Sequence, residues 1–65
     1  MTMRNISVGK KVSFITPKYR FTALVVGNSP QYQNLTVRHR NFEGVVKDYV
    51  VTYNQAERMG MQMVD

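Results

Sequence analysis

Cysteine is missing from these 65 residues, so the chain can have no disulfide, no thiolate metal site and no cysteine nucleophile. Tryptophan is also absent, and proline occurs only at Pro17 and Pro30. Acidic residues are few and scattered: Glu43, Asp48, Glu57 and Asp65 form no cluster able to cage a hard cation. His39 is the single histidine, too little for a structural zinc site without cysteine, and no Ser-His-Asp spacing or glycine-rich phosphate loop occurs. No catalytic residue, metal or cofactor is expected, and the chain reads as a non-enzyme. No apolar run approaches the roughly 18 to 20 residues of a membrane span, and Met1-Thr2-Met3-Arg4-Asn5 does not lead into an apolar signal-peptide core. The expectation is a soluble cytoplasmic protein without a membrane partner.

What is present is positive charge. Nine Lys and Arg against four Asp and Glu leave a formal charge of +5, which makes polyanions the first partners to consider, because a positive field speeds encounter with nucleic acid and favours phosphate contacts. Hydrophobic content of 43%, with four tyrosines and three phenylalanines, places the chain in the globular class. A chain of this length makes one domain and buries only about 60% of the surface its unfolded form exposes. Without disulfides or metals, it needs an economical core or a homo-oligomer.

Leu35-Thr36-Val37-Arg38-His39-Arg40 organises the reading. Strand side chains alternate faces, so Leu35, Val37 and His39 share one side and Thr36, Arg38 and Arg40 the other. One side can build a core while the other meets a partner, and parity sends His39 to the rim of the core. Around this segment, residues 1–7 show no period and read as a flexible arm. Residues 12–15 read as a strand ended by Pro17, and Phe21-Thr22-Ala23-Leu24-Val25-Val26 as the central strand. The turn formers Gly27-Asn28-Ser29-Pro30 follow, then a loop through Asn34. Residues 41–44 make a reversal with Gly44 available for a positive φ, and residues 45–51 form a fourth strand. Thr52 or Asn54 can cap one helical turn over residues 54–59 that ends at Gly60, and residues 61–64 can close the sheet.

Val8-Gly9-Lys10-Lys11-Val12 at the opening, this spacing of strands and the helical turn before the last strand resemble the small five-stranded SH3-like barrels, which include Tudor-like and KOW-type nucleic-acid-binding modules. The resemblance covers residues 8–64 and implies an all-β barrel of five strands with one helical turn before the last. Thr22-Ala23-Leu24-Val25-Val26-Gly27 and Glu57-Arg58-Met59 look like segments of the type II dihydrofolate reductases, which are SH3-like tetramers. Where that family has Val-Gln-Ile-Tyr, this chain has Val46-Lys47-Asp48-Tyr49. Lys and Asp in place of Gln and Ile remove the neutral surface on which those enzymes hold their substrates, so the resemblance carries oligomerisation and not reductase activity.

Two clusters are candidates for binding nucleic acid. Arg38 and Arg40, with Lys47 on the neighbouring strand, form either an anion strip suited to bidentate phosphate contacts or an ordinary solvated face pairing across to Glu43 or Asp48. Lys10, Lys11, Lys18 and Arg20 surround Tyr19, and Tyr32 in the next loop adds a second ring on which an unpaired base can stack. The expected function is binding of the phosphate backbone of DNA or RNA without sequence specificity. From a different class, the alternative is a protein-interaction module or phage-encoded inhibitor. It would use the barrel face and the methionines Met59, Met61 and Met63, which otherwise plug the end of the barrel.

Overall fold

The computed structural model describes residues 3–18 and 20–64. In chain order it contains a 3-10 turn (Met3–Asn5), β1 (Lys11–Ile15), β2 (Arg20–Ser29), β3 (Asn34–Arg40), β4 (Val46–Thr52), a short helix α1 (Tyr53–Arg58) and β5 (Gln62–Val64). The all-β architecture expected from the sequence is present: five antiparallel strands form one sheet in the order β4-β3-β2-β1-β5, and the helix directly precedes the last strand. The sheet is not closed into a barrel. β5 has only three residues and pairs only with β1, so β4 and β5 remain as two edges.

Alternation builds the core. Val12 and Phe14 of β1, Ala23 and Val25 of β2, and Leu35 and Val37 of β3 turn to one face and are at most 5% exposed. The register sets Val12 against Ala23, Val25 against Val37, and Leu35 against Val51 of β4. Ile6, Ala56 and Met61 complete the cluster, and the ring of Phe21 stacks on Phe14 with centroids 5.0 Å apart.

Two segments depart from expectation. Gly27-Asn28-Ser29 continues β2 instead of turning, with a bulge where the register shifts between Val25 and Gly27, and the reversal comes at residues 30–33. The cause is tertiary. The Asn28 side-chain amide donates to the carbonyls of Met3, Arg4 and Ile6 at 3.0, 3.3 and 2.9 Å, and its oxygen accepts from the Tyr53 hydroxyl. These bonds outweigh the local turn preference of the segment. They also hold residues 3–6, expected as part of a free arm, against the sheet, with Ile6 buried.

The helix is stopped and started by side chains that the sequence does reveal. Thr52 is the N-cap: its hydroxyl accepts from the Gln55 N–H at 3.0 Å while the Gln55 side chain accepts from the Thr52 N–H at 3.0 Å. At the other end Gly60 has φ 69°, and a β-carbon there would lie 2.7 Å from the carbonyl oxygen of Ile15. The chain thus crosses the end of β1 where no side chain fits. Gly60→Ala is expected to destabilise the fold by about 1–3 kcal/mol, from strain at positive φ and the backbone clash. A lowered urea midpoint with unchanged slope would show it.

Candidate nucleic-acid interface

The core face is not covered everywhere. A cleft of about 940 Å³ is lined by Phe14, Phe21, Val37, Val51 and Met59, which are buried or half-buried. Exposed Arg20, Arg40, Phe42, Tyr49, Val50, Gln55 and Arg58 also line it, with the half-buried His39 and Asn41. Phe42 is 96% exposed. It projects from the turn that Asn41 builds by accepting the backbone N–H groups of Glu43 and Val45 at 2.9 and 3.0 Å, with Gly44 at φ 84°. Asn41 thereby fixes the position of an aromatic side chain that little else covers.

Every charged group lining the cleft is a guanidinium: Arg20, Arg40 and Arg58, with no carboxylate among them. Among the described residues the one ion pair is Arg38 with Asp48, Nε to Oδ1 at 2.9 Å, reinforced by Nη2 to Oδ2 at 3.3 Å. The three cleft arginines therefore keep their charge available for an anion. His39 donates from Nδ1 to the carbonyl of Thr22 at 3.0 Å, since a carbonyl can only accept. Its ring packs 4.8 Å from that of Phe21. This places it at the rim of the core, the position its parity indicates.

The residues anticipated from the sequence are divided by the fold. Arg40 and Arg20 reach the cleft. Arg38 does not: it lies in a row across the opposite face of the sheet, where the register runs Lys11, Leu24, Arg38, Asp48. Its carboxylate partner there takes up the fork that would grip a phosphate. Lys47 is also not beside the arginine strip, because its register partner is His39 and period two puts it on the cleft side of β4. Lys10 and Lys18 are exposed outside the strands, and Tyr32 stands 71% exposed in the turn at residues 30–33, where it does not line the cleft. Tyr19 lies outside the described residues. Of the methionines, Met61 is core, Met59 is half-buried against it and lines the cleft, and Met63 is on the exposed β5. A continuous methionine contact surface is thus not formed, because Met61 is buried in the core and Met59 packs against it, leaving Met63 as the exposed one of the three.

Sequence reasoning missed Phe42, Tyr49 and Arg58 as site residues. A large apolar residue between Asn41 and Glu43 in a turn is the one local signal for Phe42. Arg58 carries none, since a cation in the last turn of a helix is ordinary. Among the described residues no group of three or more His, Cys, Asp or Glu could hold a metal ion, and no helix is long and apolar enough to cross a membrane. No protein-family model, no curated protein and no solved structure matches this chain.

The Arg38–Asp48 pair has a pH signature. Hydrogen bonds from Arg38 hold the Asp48 carboxyl below its ordinary value of 3.8. A lowered folded-state value means that the pair stabilises the fold above the ordinary value and loses its contribution as pH falls through the lowered one. Both side chains are about half exposed, so the effect is small. Asp48→Asn is expected to flatten the dependence of stability on pH below about 4, measured by urea unfolding across an acid series.

Proposed function

We propose that this protein binds single-stranded nucleic acid along the cleft, with phosphates on Arg20, Arg40 and Arg58 and bases stacked on Phe42 and Tyr49. One observation carries the reading: an apolar, aromatic cleft whose charged lining is wholly cationic and free of carboxylates. A ligand that satisfies it must offer both a flat apolar face and negative charge. Unpaired bases on a phosphate backbone do so, whereas a duplex hides the faces of its bases inside the stack. Lys10, Lys11, Lys18 and Lys47 add to the long-range field that draws a polyanion in. Guanidinium contacts to phosphate carry no sequence information, so binding is nonspecific.

The strand order, in which β5 returns to pair with β1, supports the SH3-like reading. That architecture serves many functions and does not by itself select this one.

Fluorescence anisotropy with single-stranded DNA, single-stranded RNA and duplex oligonucleotides over a salt series tests the proposal. Single strands are expected to bind more tightly than duplex, with affinity falling as salt rises. Arg20→Ala, Arg40→Ala and Arg58→Ala should each lower the salt slope by about 0.7, while Arg38→Ala lowers it less. Phe42→Ala should weaken binding by about 1–3 kcal/mol at every salt concentration. Absence of binding to any single strand at low salt would overturn the reading.

A further inference from the structure

β4 is the long edge of the sheet, and all of its residues except Val51 are exposed. Val46, Tyr49 and Val50 are 50%, 47% and 65% exposed, an unusually apolar surface for a strand with nothing beside it. Its backbone is open in a defined pattern. Just beyond the strand ends, Asn41 N–H donates to the Val45 carbonyl at 3.0 Å and Tyr53 N–H to the Gln33 carbonyl at 2.8 Å. Both contacts continue the β3–β4 register, so Lys47, Tyr49 and Val51 hold the positions hydrogen-bonded to β3. Val46, Asp48, Val50 and Thr52 therefore aim their N–H and C=O groups outward. The Thr52 N–H agrees with this assignment, since it is taken by the side chain of Gln55 and not by β3.

We infer that β4 pairs antiparallel with β4 of a second copy of this chain, about a twofold axis that passes through Tyr49. A twofold normal to the sheet brings residues of equal parity face to face, because paired residues must share a side. Several registers use the outward groups: centred on Lys47, two ammonium groups meet and repel, and centred on Val50, Asp48 faces Thr52, whose N–H is already committed. Centred on Asp48, the pairing sets that carboxylate against its own copy and is repelled. Centred on Tyr49, it sets Asp48 against Val50 of the other copy and the reverse. That forms two hydrogen-bonded pairs, with Lys47 facing Val51 and the two Tyr49 rings adjacent on the cleft side. The capping box ends the pairing at Thr52, whose N–H is already committed. β5, at three residues, is too short to offer the same edge. This inference shares Tyr49 and Val50 with the cleft but draws on the edge backbone and its charges and not on the arginines. Assembly measured without nucleic acid tests it separately.

Sedimentation of the full chain over a concentration series, without nucleic acid, reads the assembly directly; a dimer of twice the chain mass is expected. Val50→Pro removes an outward donor while leaving every β3 bond in place, a position where an edge strand tolerates proline. Val50→Glu sets a second carboxylate against Asp48 of the other copy. Each should raise the dissociation constant by about tenfold or more, equal to about 1.4 kcal/mol, with circular dichroism unchanged. Because the chain lacks cysteine, a single introduced thiol reports the register. Tyr49→Cys should form a disulfide-linked dimer on mild oxidation, since facing residues in a non-hydrogen-bonded pair lie about 4.5 Å apart at Cα, and Asp48→Cys should not. A monomer at all concentrations, a dimer indifferent to both Val50 variants, or cross-linking through position 48 instead of 49 would overturn the inference.

Discussion

Leu35 and Val37 must face inward, and the rest of the molecule follows from that constraint. They are the fully or nearly fully buried residues of a strand whose alternate positions carry Arg38 and Arg40. A slip of one residue against β2 or β4 would drive two guanidinium groups into a core that, among the described residues, holds no buried polar side chain, at a cost far above the stability of a domain this small. The register of β3 is thereby fixed on both sides at once. That in turn fixes which β4 residues face the cleft, which face the opposite surface, and which backbone groups point outward from the sheet. The cationic cleft and the self-complementary edge are both consequences of a single two-faced strand.

The fold was readable where local chemistry and tertiary structure agree. Alternation placed Val12, Phe14, Leu35 and Val37 inside, the most apolar run placed β2 at the centre of the sheet, and Thr52 was one of two residues suited to cap the helix. It was not readable where a tertiary bond overrides a local preference. Gly27-Asn28-Ser29 has the composition of a turn, yet Asn28 serves as a joint between the first residues of the chain, β2 and the helix. Nothing near position 28 announces partners more than twenty residues away in both directions. The five strands could be counted in advance, but whether they close into a barrel depends on the length and edge contacts of β4 and β5.

The candidate site was legible in its chemistry and not in its geometry. The excess of cations pointed to polyanions, and two of the named arginines, Arg20 and Arg40, do line the cleft. Pairing of this face with Glu43 or Asp48 is one of two readings of the sequence, and period two could not choose between them, because the choice depends on the length of the turn between the two strands. Nor could it bring together Phe42 from a turn, Tyr49 from a strand and Arg58 from the helix, which are joined only by the way the sheet curls around an uncovered part of its core. Charge is a property of composition, whereas a cleft belongs to topology.

The pairing of β5 with β1 also sets an order of events during synthesis. Lys11, Val12 and Ser13 find their partners on one side in β2, within about a dozen residues, and on the other in Val64, Met63 and Gln62. The meander from β1 to β4 can therefore assemble progressively as the chain leaves the ribosome. Met61 of the core and the outer neighbour of β1 arrive only when the segment around residue 64 has emerged. Until then the nascent chain carries an incomplete core and the unpaired edge of β1 in place of that of β5. The long-range closure that completes it carries the largest loop-closure entropy of the strand pairings.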